Sequence, residues 1–280
     1  MAVSGSRDFI LTRDNIINAT LRKLRVIVQG GTPTTNQYTY ASEGLNVVQH
    51  DWENDGIFLW TNTDLHLALV ADTPYITVSS AADVVDISNV VYREDGTDTI
   101  LTKISKSEYQ SLTQKAESGT PTHYWVEYLL ASTKMYLFPV YSHTTGVVTG
   151  SDASVYLCTN DHTSDSDYEP TTGTGYADYW EVTTQLSTGG AWADATDYYS
   201  GHIRCVKTQT LQDFDASTNN PDFPTRAYNA LILSLTAYLA PEYLSSREVT
   251  FWIKEAKEAR QRFMFGQAES GPIYIKPRIK

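Results

Sequence analysis

Residues 84–104 read VVDISNVVYREDGTDTILTKI, two β-strand patterns joined by the dipeptide Asp95-Gly96. Asp-Gly is a strong signal for a tight hairpin turn, because such turns need residues that tolerate a positive φ. The sequence therefore predicts an antiparallel hairpin in the middle of the chain. Further strand patterns, in which apolar residues alternate or run together, lie at 65–69, 75–79, 123–129, 135–140 and 203–211.

Two helical patterns precede these strands. Thr12 can cap a first helix whose apolar stripe extends to Val28, and Gly30-Gly31 is expected to end it. Thr32-Pro33 can open a second helix, because proline at the first helical position loses no hydrogen bond. Asp55-Gly56 is expected to end this second helix.

Two more helical patterns follow the strands. Asp222-Phe223-Pro224 opens a third helix that Pro241 ends, and Ser245 with Glu248 forms a capping box for a fourth helix that ends at Gly266. Strands and helices do not alternate, which excludes a doubly wound parallel sheet. The predicted class is α+β, with two N-terminal and two C-terminal helices around a small antiparallel sheet.

The segment 141–202 differs from the rest of the chain. It contains no Lys or Arg but nine acidic residues, and it is rich in Tyr, Trp, Thr and Gly. We interpret it as an inserted all-β module whose aromatic side chains supply its core. A long acidic loop is the alternative, although structureless loops of this length are uncommon in compact domains. The predicted domains are a discontinuous core, residues 1–140 with 203–280, and the module.

Composition limits the class of protein. Of the 280 residues, 41% are hydrophobic, which suits a soluble globular chain. The 21 bases against 33 acids give a net charge of -12, which argues against a protein that grips DNA. No apolar stretch is long enough to cross a membrane, and the N-terminus lacks an apolar signal region, so folding in the cytoplasm is expected. Two cysteines exclude a disulfide scaffold.

Known catalytic motifs are missing from the sequence. It has no phosphate-binding P-loop, no G-x-G-x-x-G, no G-x-S-x-G and no H-E-x-x-H. The prediction is therefore a protein that is not an enzyme and that has no cofactor.

Four residues form a candidate metal site: Cys158, His162, His202 and Cys205. The pairs Cys158/His162 and His202/Cys205 could together make a tetrahedral zinc site, although their spacing differs from that of a C-x-x-C knuckle. Two buried thiols with two polar imidazoles, or a Cys158–Cys205 disulfide, are the alternatives. The prediction is no metal, with this set as the candidate to test.

Four aromatic residues of the module form a second candidate: Tyr156, Tyr179, Trp180 and Trp192. Exposed aromatic rings can stack on sugars, so these residues are a possible glycan platform. The alternative is that the same rings are the core of the module.

The C-terminal stretch 246–280 has eight bases against four acids, a net charge of +4. Its last residues alternate apolar with basic side chains and have no obvious partner within the chain. Such a tail is suited to docking on another protein; a frayed terminus is the alternative. The predicted docking residues are Ile273, Tyr274, Ile275, Lys276, Arg278 and Lys280.

Outside the module, short motifs follow one another in a specific order. They are Val3 to Phe9, Leu45-Asn46, Trp52, Leu59-Trp60-Thr61, Arg93, Asp95 to Thr99, Ile104 to Tyr109, Gly119 to Thr122, Tyr136 to Val140, Asp213-Phe214-Asp215, Asn220 to Pro224, Leu239 to Tyr243 and Glu269-Ser270-Gly271. This series resembles the head-to-tail adaptor family of tailed bacteriophages, also called tail accessory factors or packaged-DNA stabilisation proteins. The acidic module departs from the family pattern.

The resemblance implies a structural virion protein at the head-tail junction, assembled in the host cytoplasm. Such adaptors form a dodecameric ring beneath the portal, extend the DNA channel, retain packaged DNA and seat the tail. The implied partners are the portal protein, which the C-terminal segment would bind, further copies of the chain, and tail proteins such as a nozzle, hub or fibres. DNA would pass without sequence-specific binding, and no membrane is involved. The alternatives are a carbohydrate-binding virion surface protein that acts through the module and, third, a murein hydrolase.

Overall fold

The computed structural model describes residues 9–56, 59–79, 81, 83–183, 190–216, 218–219 and 221–265. Its helices and small, mainly antiparallel sheets confirm the predicted α+β class. The helices are α1 (Arg13–Lys23), α2 (Thr35–Asn54), α3 (Lys106–Ser111), α4 (Tyr228–Tyr243) and α5 (Ser246–Phe265). The strands are β1 (Asn62–Ala68), β2 (Tyr75–Ser79), β3 (Val84–Glu94), β4 (Thr97–Ile100), β5 (Thr102–Lys103), β6 (His123–Leu129), β7 (Ser132–Phe138), β8 (Val147–Thr149), β9 (Val155–Cys158), β10 (His162–Thr163), β11 (Trp180–Thr183), β12 (Gly190–Ala191), β13 (Asp197–Tyr198) and β14 (His202–Gln209).

The chain divides into two compact units. Unit 1 comprises Met1–Trp60 with Leu211–Lys280, and unit 2 comprises Thr61–Thr210. Residues of the predicted core, 1–140 with 203–280, are found in both units. The predicted module, 141–202, lies within unit 2.

Unit 1 is a helical bundle built around α4, which packs against α1, α2 and α5. Apolar residues surround α4, so it is buried on nearly all sides, as expected for a central helix. Its buried residues are Tyr228, Ala230, Leu231, Leu233, Leu235, Thr236, Leu239 and Ala240.

Three predicted helix boundaries in unit 1 are wrong: the end of α1, the start of α2 and the end of α4. The first helix ends at Lys23, before Gly30, because Arg25 has a positive φ of 60° that breaks the helix; Val28 is 78% exposed. The second helix begins at Thr35, because the capping box of Thr34 with Gln37 provides its start. Pro241 lies inside α4, which continues to Tyr243. The predicted end at Gly266 lies outside the described residues.

Unit 2 contains two four-stranded sheets that enclose one apolar core. The first has the order β1-β14-β3-β4 and is antiparallel throughout; the second has the order β2-β7-β6-β5, in which only β5 and β6 are parallel. The predicted hairpin is confirmed, with β3 and β4 joined at Asp95 and Gly96, whose φ values are 45° and 72°. The predicted alternation over 65–69 is confirmed as well, since Leu65, Leu67 and Leu69 are all buried.

Within the predicted module, the strands β8, β9, β11 and β12 form a third sheet of order β11-β9-β8-β12, and β10 pairs with β13. A separate small core lies beside this sheet. It consists of Val148, Tyr156, Cys158, Trp180 and Tyr198, with Tyr176, Tyr179 and Trp192 partly buried against it.

Candidate functional site

The candidate glycan platform of the module consists of Tyr156, Tyr179, Trp180 and Trp192. Tyr156 and Trp180 are each only 3% exposed. The Trp180 indole donates to the Tyr168 carbonyl at 2.9 Å, and the Tyr156 hydroxyl donates to Asp152 at 3.1 Å. These two rings belong to the core and offer no face to a sugar, so the four-ring glycan platform is wrong. Tyr179 and Trp192 are half-buried against the same core.

His162 lies among four aromatic rings of this core. Its ring centroid is 4.5 Å from that of Tyr179, 5.3 Å from Trp180, 5.8 Å from Tyr198 and 5.9 Å from Tyr168. The imidazole therefore fills the space between the rings and acts as a packing residue.

The four candidate metal ligands do not come together. Cys158 Sγ is 3.7 Å from His162 Nδ1, but His202 stacks on His66 with ring centroids 5.4 Å apart, and Cys205 is buried opposite Leu65 on β1. Among the described residues, no group of three or more His, Cys, Asp or Glu could hold a metal ion. The candidate zinc site is therefore wrong, because Cys158 lies in the core of the module, Cys205 lies in the core between the two larger sheets of unit 2, and His202 stacks on His66 on the other face of the β1–β14 pair.

Both cysteines are free and buried, so the disulfide alternative is wrong as well. Burial raises the pKa of the Cys158 thiol, and likewise that of Cys205, to about 12. Since the thiolate is the reactive form, neither thiol is suited to nucleophilic chemistry near neutral pH.

Ser200 joins the module to the β3–β4 hairpin. Its hydroxyl lies 2.8 Å from Asp161 Oδ1 and 3.1 Å from Asp95 Oδ1, and it accepts from the Asp95 amide at 3.0 Å. The Ser200 amide donates to Asp161 at 2.6 Å, and the Asp161 amide donates to Asp95 at 3.0 Å. We call these three residues the anchor. Three of these contacts join the module to Asp95 of the hairpin turn, and two join Ser200 to Asp161 within the module.

Next to the anchor, the backbone of Gly201 lies close to the side chains of Tyr92 and Tyr141. A Cβ at Gly201 would collide with the hydroxyls of Tyr92 and Tyr141, so only glycine fits there. Both hydroxyls donate to Glu94, at 2.7 Å and 3.2 Å. Burial raises the pKa of Tyr141 to about 12 and also raises the pKa of Tyr92, so both tyrosines remain neutral donors near neutral pH.

In unit 1, a polar stripe on α2 binds the segment after β14. Its members, at helical spacing, are Asn46, Gln49, His50 and Glu53. Asn46 Oδ1 accepts from the Phe214 amide at 3.0 Å, Gln49 Nε2 donates to the Gln212 carbonyl at 2.9 Å, and His50 Nε2 lies 3.0 Å from Asp213. Glu53 accepts from the Leu211 amide. Sequence reasoning missed this stripe, although its i, i+3, i+4, i+7 spacing is visible.

An apolar groove lies between α2, α4 and α5. Its volume is 360 Å³. Val48, Trp52, Ala237 and Ile253 provide apolar walls, while Asp51, Lys257 and Arg260 provide charged groups at its sides. Arg260 is ion-paired with Asp55 and lies over the Trp52 ring. The groove can therefore receive an apolar side chain next to an acidic one.

Several of the short motifs that carried the family resemblance contact each other. In unit 1, Asn46 binds Phe214, the Trp52 ring centroid is 5.4 Å from that of Phe223, and Trp60 Nε1 donates to the Asp222 carbonyl at 2.7 Å. In unit 2, Arg93 Nε and Nη2 donate to the two carboxylate oxygens of Asp98 at 2.6 and 3.0 Å. The Gly119 amide donates to the Val140 carbonyl at 2.7 Å.

No family model matches the chain, and no curated protein matches it significantly. No helix in the described part of the chain has the length and apolar character needed to cross a membrane. The predicted docking residues, Ile273, Tyr274, Ile275, Lys276, Arg278 and Lys280, lie outside the described residues.

Proposed function

We propose that this chain is a structural virion protein, a head-to-tail adaptor that forms a ring beneath the portal of a tailed bacteriophage. In this role it extends the DNA channel, retains packaged DNA and seats further tail proteins. The virion head-tail junction is its proposed location.

The observation that carries the proposal is the mutual contact of the resembling motifs. Leu45-Asn46 and Asp213-Phe214-Asp215 are far apart in the sequence, yet one binds the other. The same holds for Trp52 with Phe223 and for Gly119 with Val140. Chance matches would be scattered over the fold, whereas residues that together define one architecture should be in contact. These contacts support the resemblance as a similarity of fold.

The charge of the chain is consistent with this role. A net charge of -12 weakly repels DNA, which suits a channel wall that DNA must pass. The C-terminal stretch is the basic exception, and we propose that it binds the portal protein.

We further propose that the protein has no catalytic activity. Cysteine, the strongest nucleophile among the side chains, is present only as two buried thiols that stay protonated. The Ser200 hydroxyl is fully buried and already bound by two carboxylates. Measurable turnover of peptidoglycan by the purified protein would contradict this part of the proposal.

Deletion of residues 268–280 tests the portal contact. We expect the truncated protein to keep the far-UV circular dichroism spectrum of the full chain, because all three apolar cores of the described residues precede the deleted segment. It should fail to bind the portal protein of the same virus in gel filtration. The matched control replaces only Lys276, Arg278 and Lys280 by Ser, which keeps the length and apolar residues and should weaken binding only partly. Unimpaired portal binding by the truncated protein would refute the docking role, and no binding by the full chain would refute the adaptor.

A further inference from the structure

Basic side chains collect on the outer face of the sheet β1-β14-β3-β4. In the strand pairing, His66 on β1 lies opposite Arg204 on β14, and His202 on β14 lies opposite Arg93 on β3. Residues opposite each other in an antiparallel pair share a face, and so do residues two apart on one strand. Cys205, next to Arg204, is buried in the core on the other side of the sheet. Two guanidiniums and two imidazoles therefore share the outer face.

One carboxylate serves both guanidiniums. Arg93 donates from Nε and Nη2 to the two oxygens of Asp98, so its Nη1 is the nitrogen that this pairing does not use. Arg204 Nη1 lies 3.9 Å from Asp98 Oδ2, which is too far for a hydrogen bond. The Arg204 guanidinium makes no hydrogen bond with the described residues, and its side chain is 33% exposed. Its donors are therefore accessible to a ligand from solvent.

The two imidazoles also have ring nitrogens without partners. His66 is half-buried, stacks on His202, and makes no hydrogen bond within the described part of the chain. The Nε2 atom of His202 is buried and has no hydrogen-bond partner among the described residues either. Buried polar atoms without a partner are rare in native structures, so each of them needs an explanation.

The pKa values of the imidazoles reflect the positive charge on this face. Burial is the main cause that lowers the pKa of both, and the two guanidiniums act in the same direction. Glu181 and Asp64 act on His66 in the opposite direction. In the described ranges, however, neither of these carboxylates forms an ion pair with a guanidinium of this face. A bound anion would therefore meet two cations that only Asp98 neutralises by direct contact.

We propose that His66, Arg93 and Arg204 form a binding site for a phosphate group, either inorganic phosphate or a phosphate monoester. The tetrahedral oxygens of a phosphate can accept from donors on three different strands, and guanidinium N–H groups match phosphate oxygens in pairs. Arg204 supplies most of the donors, Arg93 adds Nη1, and His66 adds a ring N–H. His202 positions His66 by stacking on it. We call these three ligating residues the phosphate site.

Partial burial makes the phosphate site suited to a small ligand. Ionic hydrogen bonds are stronger in a half-buried site than in bulk water, because the local dielectric constant is lower. A carboxylate ligand has only two oxygens in one plane, so it should satisfy fewer of these donors. The phosphate site lies within unit 2, and its ligand binding does not require ring assembly.

An NMR titration of the full chain with sodium phosphate at pH 7 and constant ionic strength tests the site. The imidazole signals of His66, assigned with His66→Gln, should shift in a saturable manner. The pKa of His66 should rise at saturating phosphate, because a nearby anion favours the protonated ring. Glycerol 3-phosphate in a parallel titration distinguishes a monoester site from a site for the free ion. Acetate at equal concentration should bind more weakly.

Two variants with opposite expected effects locate the binding. Arg204→Gln should weaken phosphate binding by about tenfold or more, because it removes charged donors. Asp98→Asn should tighten binding, because Asp98 competes with the ligand for both guanidiniums, and an exposed ion pair contributes little to stability. Arg22→Gln, the same substitution at an exposed position on α1, is the matched control and should bind as wild type.

The outcomes decide the proposal without reference to the portal. Absence of a saturable shift with both inorganic phosphate and glycerol 3-phosphate would overturn the site. Unchanged affinity in Arg204→Gln, or an equal loss in Arg22→Gln, would overturn its location. Weaker binding by a folded Asp98→Asn variant would contradict competition between Asp98 and the ligand. Circular dichroism verifies the fold of each variant, and the wild-type titration with Asp98→Asn decides the matter if Arg204→Gln does not fold.

Discussion

Acid should destabilise unit 2 through His202. The ring is 1% exposed, and its Nδ1 lies 2.6 Å from the Ser200 carbonyl, so this nitrogen carries the proton and donates. Its Nε2 is buried and has no hydrogen-bond partner within the described ranges. Burial, with a smaller effect of the neighbouring His66, Arg93 and Arg204, lowers the pKa of His202 to about 4 against the opposing effect of the Ser200 carbonyl.

The magnitude follows from linkage between protonation and folding. The ordinary pKa is 6.5, so above that pH His202 is neutral in both states and its contribution to stability is fully present. Between pH 6.5 and pH 4 the unfolded chain binds a proton that the folded chain does not. The free energy of unfolding should therefore fall by about 2 kcal/mol at pH 5 and about 3 kcal/mol below pH 4.

The assay is urea unfolding at pH 7 and pH 5, at constant ionic strength, for the wild type and for His202→Asn. The Asn side chain can still donate to the Ser200 carbonyl but does not titrate. Hydrogen exchange of the β14 amides provides a local measurement beside the global one. The wild type should lose about 2 kcal/mol more than the variant between the two pH values. Equal losses, or equal changes in β14 exchange, would refute the reasoning.

Two further substitutions test the cores. Gln49→Ala removes a fully buried side chain and its hydrogen bond to the Gln212 carbonyl, so unit 1 should lose about 1–3 kcal/mol of stability in urea unfolding, whereas the exposed Gln261→Ala should change it little. Trp180→Ala removes a buried ring and should cost about 3–5 kcal/mol, with loss of the dispersed NMR signals of 141–202. Trp192→Ala should cost clearly less; equal effects of the two would contradict the assignment of Trp180 to the core.

The sequence predicted correctly those elements that a few neighbouring residues determine. The β3–β4 hairpin follows from two residues, Asp95 and Gly96, that accept positive φ. The end of α1 was not predictable in this way. Arg25 takes a positive φ there because tertiary packing positions Leu24 and Ile27 in the bundle core, while Val28 turns outward. A stripe of apolar residues gives the face of a helix but not the point at which packing breaks it.

The candidate sites required contacts between residues that are far apart in the chain, and the sequence spacing of residues does not predict such contacts. Cys158 and His162 do approach each other, as their separation by four residues allowed. His202 and Cys205 lie on opposite faces of β14: Cys205 is buried in the core between the two larger sheets, and His202 stacks on His66. Similarly, the polar stripe that includes Gln49 is visible in the sequence, but its partner segment is about 160 residues away. Register and long-range pairing, rather than residue type, decide such sites.

The junction of the module explains how an acidic segment can interrupt the chain without disturbing the core. Entry and exit are held together: Thr145 accepts from the Leu69 amide at 2.9 Å and donates to the Gly201 carbonyl, while the anchor binds Ser200 to the hairpin. When the two ends of an insertion are fixed close together, its length adds little entropic cost to folding of the core. The surface residues of the module therefore do not constrain the packing of the core, and this is why a segment with nine acids and no Lys or Arg can be accommodated at this position.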